Sequence, residues 1–138
     1  MSFAADISSF VERTGLRADQ VLRKVGLDGY GGLQRRSPVL TGRFRANWRI
    51  SIDQTDLTTT EDVSSGEAGS PPTSDELAVA TSTLEKARFG QSIHLSNNLP
   101  YAGPLENGHS QQAPNGIVSQ TLLELQANLE RALAGLDA

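Results

Sequence analysis

The amino-acid sequence predicts an α+β fold: a small antiparallel sheet packed by several helices, with a long polar insertion between two strands. Three observations lead there. Apolar residues recur at helical spacing near both ends of the chain and again after Pro71-Pro72; two short segments alternate apolar and polar residues; and an acidic, apolar-poor stretch lies between those two segments. A length of 138 residues suits one domain spanning 1–138. Within it the sequence separates an N-terminal helical region (1–36), a polar acidic insertion arm (54–73) and a C-terminal helix (116–136).

Phe3, Ile7, Phe10 and Val11 are spaced as the buried stripe of an amphipathic helix over about 3 to 13, with Ser2 as its N-cap and Gly15 as its stop. A second helical pattern begins near Ala18 and carries Val21, Leu22 and Val25 on one side. It then meets Gly26, Gly29, Gly31 and Gly32. Each interior glycine costs a helix roughly 1 kcal/mol relative to alanine, so this helix either breaks near Gly26 or packs very closely against a neighbour. The glycines are not a phosphate-binding loop, because no Gly-Lys-Ser/Thr follows and no strand precedes them.

Ala46, Trp48, Ile50 and Ile52 alternate with Asn47, Arg49, Ser51 and Asp53, which predicts a strand with Trp48 in the core. Residues 54–74 hold four acids, no basic residue, and only Leu57 and Val63 as sizeable apolar groups. In an isolated monomer that composition predicts a mobile arm or a long hairpin tip. Thr73 and Glu76 then stand in capping-box register, and Leu77, Ala80, Leu84 and Ala87 follow at helical spacing to a stop near Gly90. Ser92 to Ser96 alternate again, giving a second strand that Asn97 and Asn98 end. Finally Val118, Leu122, Leu125, Leu129, Ala132 and Leu136 form a helical stripe with Asn115 as its cap. Packing on the sheet is the expected role of that stripe, and a subunit contact is the alternative.

Composition narrows the function classes. The chain has no cysteine, which removes disulfides, thiolate metal sites and cysteine nucleophiles. No run approaches the ~18 apolar residues of a membrane span, and the opening MSFAADISSF lacks the basic-then-apolar order of a signal peptide, so a soluble protein with no membrane partner is expected. The net charge of −4 hides a division along the chain: residues 1–52 carry nine basic side chains against four acids, and the remainder three against twelve. Opposed charge on two surfaces would favour and orient a head-to-tail contact between copies; the alternative is that both sets are solvated.

The two histidines, His94 and His109, lack the partners of a metal or catalytic site. Glu106 with His109 alone falls short of the three or four ligands zinc requires, and no nucleophile-elbow motif is present. Neither an enzyme nor a cofactor is expected. Arg35, Arg36, Arg43, Arg45 and Arg49 fall within fifteen positions and suit phosphate recognition, but the acidic whole (pI about 5.1) and the lack of a helix-turn-helix, zinc finger or stacking platform argue against sequence-specific DNA binding. The same arginines suit either non-specific contact with passing DNA or salt bridges to an acidic neighbouring subunit.

Two local motifs carry more information. In Ser37-Pro38-Val39-Leu40-Thr41-Gly42-Arg43-Phe44-Arg45, proline disfavours helix at Ser37 and Thr41 caps a short turn opening at Gly42. In Asn98 to Gly108, a strand exit leads to a helical turn bearing Tyr101 and Leu105, with a glycine stop. Together, in this order, they resemble the tailed-phage neck and tail-completion family of the lambda minor tail protein Z type. Pro38, Val39, Thr41, Gly42 and Arg43 match one signature, with Leu40 standing where an acid is usual; Tyr101, Ala102, Glu106 and Gly108 match the other. The resemblance spans residues 37 to 118.

What the resemblance implies is a structural virion protein. It would be a homo-oligomeric ring at the head-tail connector, docked to other phage connector and tail proteins, linking the connector to the tail terminator and tube and leaving a channel for DNA. Assembly would take place in the host bacterial cytoplasm. On this expectation the Thr41-Gly42 and Tyr101–Gly108 turns anchor the fold, and the arm and the arginine cluster are contact surfaces. The alternatives are the tail terminator or another ring protein of the same assembly and, from a different class, a small cytoplasmic regulator binding nucleic acid through residues 35–49.

Overall fold

The computed structural model describes residues 3–14 and 17–136. Its elements in chain order are α1 (Phe3–Thr14), α2 (Ala18–Arg36), α3 (Arg43–Ala46), β1 (Trp48–Ile52), α4 (Ser74–Leu84), β2 (Ile93–Asn97), α5 (Ala102–Glu106) and α6 (Val118–Leu136). This is a small α+β fold. The Ser2 cap and the Gly15 stop expected for α1 lie outside the described residues. Among the described residues, no helix is long and apolar enough to cross a membrane.

The glycine-rich helix does not break. It runs through to Arg36, and packing compensates for its weak propensity. A β-carbon at Gly26 would come within 2.8 Å of Leu84 Cδ2 and 3.0 Å of Ile93 Cδ1, and one at Gly32 within 2.8 Å of Thr121 Cγ2. The bare backbone of α2 is thus the surface on which α4, the sheet and α6 all close. Bulk returns at Tyr30 and Leu33, both 4% exposed, which enter the main core.

That core joins Tyr30 and Leu33 with Phe44, Trp48, Ala80, Leu99, Ala113 and Ile117, while Leu27, Ile50 and Leu95 pack at its margin. Phe44 meets Trp48 edge-on, with ring centroids 5.7 Å apart, an arrangement worth about 0.5–1.5 kcal/mol beyond the area buried. The indole Nε1 donates to the Ser37 hydroxyl at 2.6 Å, so the buried tryptophan leaves no polar atom unmatched. A second cluster, Ile7, Val21 and Leu129, joins α1, α2 and α6.

The two strands form one antiparallel pair, in register from Trp48↔Asn97 to Ile52↔Ile93. β1 begins at Trp48; Ala46, expected as its first residue, instead closes the α3 turn. At the far end of the pair, Asp53 adopts a left-handed conformation (φ 66°) and its carboxylate accepts from Ser92 N and Gln91 Nε2 at 3.0 and 3.1 Å. α4 opens on the expected capping box, with Thr73 Oγ1 accepting from Glu76 N and Glu76 accepting from Thr73 N. It ends at Leu84 rather than near Gly90, because Lys86 and Ala87 bond back three residues in a turn; Ala80, Leu84 and Ala87 are buried, while Leu77 is 42% exposed.

α6 departs from expectation in its partners and its inward face. It lies chiefly across α1 and α2 rather than on the sheet. Ile117, Thr121 and Leu129 face inward, whereas Val118 and Leu122 of the predicted stripe are 40% and 57% exposed. Thr121 explains the shift. Its methyl fills the space over Gly32 and its hydroxyl bonds back to Ile117 O at 2.8 Å, so a polar residue occupies a core position that an apolar count misses.

Candidate functional site

The two motif segments, about sixty positions apart in the chain, fold against each other. Ser37 is buried, donating to Leu33 O at 2.7 Å while accepting from Trp48, and this pins the start of the first loop. Both backbone groups of Val39 bond one side chain just past the second segment: Val39 N donates to Gln112 Oε1 (2.8 Å) and Gln112 Nε2 donates to Val39 O (3.2 Å). Thr41 Oγ1 accepts from Arg43 N at 3.2 Å, the cap expected there. Gly42 turns the chain at φ 93°, where a β-carbon would lie 2.3 Å from Ser64 O. Only glycine fits both the backbone angle and the space.

In the second segment the Tyr101 ring rests on Phe44 of the first, with centroids 5.9 Å apart. Ala102 and Leu105 pack on the core, and Gly108 ends the turn at φ 84°. Glu106 has the most specific role. Its Oε1 accepts from the backbone N–H of both Ile117 and Val118 at 2.7 Å, and its Oε2 accepts from Ser119 N at 3.1 Å. A carboxylate from α5 therefore caps α6, satisfying donors that a helix start leaves open and complementing its dipole. Partial burial pushes the Glu106 carboxyl up, but the three N–H donors outweigh this and hold it below the usual glutamate range. Asn115, expected as the cap, instead offers its backbone oxygen to Ser119 and Gln120.

Between the segments lies a groove of about 660 Å³, lined by Pro38, Val39, Gly42, Phe44, Tyr101 and Leu105 among others. Leu40, at the tip of the first loop, is 97% exposed. A proline-started loop tied down at Ser37, Val39 and Gly42 thus projects an apolar side chain beside an apolar groove. His109 follows the Gly108 turn, and with Glu106 committed to α6 the pair holds no metal-like arrangement; among the described residues, no group of three or more His, Asp or Glu could hold an ion.

The arginine cluster is used inside the molecule. Arg45, expected as a contact residue, is 0% exposed: Nη1 donates to Glu67 O (2.8 Å) and Ser70 Oγ (3.1 Å), and Nη2 to Pro71 O and Glu76 Oε1 (3.4 Å). It therefore faces neither DNA nor a neighbouring subunit. Arg43 bonds Thr60 O and Glu61, and Arg49 bonds Thr58 O. Arg35 and Arg36 both pair with Glu124 of α6, and Arg36 also donates to Thr121. The arm expected to be mobile is accordingly a strap lying along the body, held by Arg43, Arg45, Asn47 and Arg49 of the basic half and by Asn98 and Glu76 beyond it. Asn47 supplies a ladder-like rung, accepting from Thr60 N at 2.9 Å and donating to Thr60 O at 3.0 Å, and Asn98 Nδ2 donates to Asp56 O and Thr58 O.

Glu76 joins the strap to α4. Burial pushes its carboxyl up, yet donation from Thr73 N, Ser64 Oγ and Arg45 prevails and holds it below the usual range. The opposed charges of the two halves are therefore spent in part within one chain, a use of the pattern that a count of charges along the sequence does not reveal.

No family model, curated protein or solved structure matches the chain. The residues and their geometry alone carry the functional reading.

Proposed function

We propose that this chain is a structural subunit of a tailed-phage head-tail connector ring, a neck or tail-completion protein that acts by self-association and by docking to unlike rings. The observation that carries this reading is the convergence of the two motif segments. Residues matching both signatures build one unit in which each contributes a distinct contact. Gly42 makes a turn and Thr41 caps it, Tyr101 stacks against Phe44, and Glu106 caps α6. The unit presents Leu40 to solvent on a loop held from behind, the kind of rigid apolar projection that protein contacts use.

The bonds of the arginines at 35–49 to Glu124, Glu61, Glu76 and strap carbonyls favour the structural reading over the cytoplasmic-regulator alternative, which would use them for nucleic acid. Antibody labelling and mass spectrometry of purified phage particles encoding the chain test the proposal. Label at the head-tail junction is expected; a chain absent from mature particles would refute it.

A further inference from the structure

Beyond the pairing just described, two charged surfaces stand out among the described residues, one at the start of α2 and one beside α3. At the first, Arg23 donates twice to Ala87 O (3.2 and 3.1 Å) and Arg88 donates to the same oxygen at 3.1 Å, so two guanidinium groups converge on one acceptor. Arg17 lies 3.8 Å from Asp19, whose carboxylate also accepts from Phe89 N at 2.7 Å. Three arginines thus surround one carboxylate, and among them the Phe89 side chain is 49% exposed.

At the second, Ser64 N bonds Gly42 O at 2.9 Å, which places the strap tip beside α3. There Glu61, its side chain 90% exposed despite its bond to Arg43, stands next to the exposed Asp62 and to Val63, 60% exposed. The first surface is built on the start of α2 and the turn after α4, the second on the strap beside α3. Each combines an excess of one sign of charge with one exposed apolar side chain.

Resting on the ring reading above, we propose that the Glu61-Asp62-Val63 tip of one subunit docks on the Arg17, Arg23, Arg88 and Phe89 surface of the next copy of this chain. The two surfaces are complementary and distinct, so the contact is head-to-tail and propagates from copy to copy, as a closed ring requires. Opposite charge orients the approach, and Val63 against Phe89 supplies apolar contact.

The test uses two charge-reversed chains: Arg17→Glu with Arg88→Glu, and Glu61→Lys with Asp62→Lys. Each places like charges across its own contact. Alone, each is expected to self-associate at least about tenfold more weakly than wild type in sedimentation velocity, and mixing the two is expected to restore assembly, because each then meets a complementary partner. Arg17→Glu alone, which leaves the Arg88 bonds to the 85–87 turn intact, keeps the result independent of any loosening of that turn. Wild-type assembly that both reversed chains retain would overturn this contact and leave the ring reading standing. A wild-type chain that stays monomeric at millimolar concentration and low salt would overturn both. Loss of affinity for a double-stranded DNA fragment in the arginine variant, with no recovery of assembly on mixing, would assign the basic surface to nucleic acid instead.

Discussion

Replacing Glu106 with alanine should weaken the protein out of proportion to the modest burial of that side chain. The substitution removes the acceptor for three backbone N–H groups, two of them at 2.7 Å. Val118 and Ser119 are exposed, so water can take over their donors, but Ile117 is 1% exposed and its N–H would be left with little alternative. Loss of a cap costs about 0.5–2 kcal/mol and one stranded buried donor about 1–3 kcal/mol, so Glu106→Ala should lose about 2–3 kcal/mol. Glu106→Gln keeps one carbonyl oxygen for Ile117 and Val118 and gives up the charge at the helix start, a loss of about 1 kcal/mol. Urea titrations followed by helical circular dichroism and by the fluorescence of the buried Trp48 would measure both. An alanine variant within about 0.5 kcal/mol of wild type, or a glutamine variant as damaged as alanine, would refute the assignment of Glu106 as the cap of α6.

The strap and the turns around it yield three further predictions. Arg45→Met removes the donors to Glu67 O, Ser70, Pro71 O and Glu76; limited proteolysis should then cut within residues 57–70 before the core, with a stability loss of about 3 kcal/mol in urea titration. Gly42→Ala forces a side chain into φ 93° and against Ser64 O, and should cost at least about 2 kcal/mol by thermal denaturation. Acid should weaken the fold through Glu76 and Glu106. Both are held below their ordinary value of 4.5, so their stabilisation is complete above that pH and is lost as pH falls through the depressed folded values. Denaturation midpoints taken downward from pH 7 should stay level to about 4.5 and then fall, and Glu76→Gln should flatten that acid limb.

How much of the fold is legible in the sequence depends on the distance over which each feature is decided. The course of α1, the start of α4 and both strands follow from spacing and, for α4, from its capping box, because the residues that decide them lie within a few positions of one another; the end of α4, expected near Gly90, falls at Leu84. The path of α2 does not: local propensity favours a break at Gly26, and Leu84 and Ile93, some sixty residues away, reverse the outcome. The strap escapes local reading for the same reason, since its composition is that of a mobile segment and its order comes from Arg45, Asn47 and Asn98. Glu106 is legible as a motif residue, but its partners begin eleven positions later, and local spacing favours Asn115 as the cap instead. The one signal available is an unassigned motif acid preceding a helix with no acidic residue in its first turn.

The strap is gripped mostly by its main chain. The carbonyls of Asp56, Thr58, Thr60, Glu67 and Pro71 and the N–H groups of Thr60 and Ser64 take most of the bonds, while Leu57 and Val63 remain 76% and 60% exposed. Attachment and display are therefore carried by different atoms of the same segment. Residues 57, 62 and 63 can change identity with little effect on how the strap is held, provided that Gly66 still leaves room for the Arg45 guanidinium, which a β-carbon there would approach to 2.6 Å. Related chains would then be free to diversify the outward side chains of the strap, and with them the choice of partner, on an unchanged scaffold.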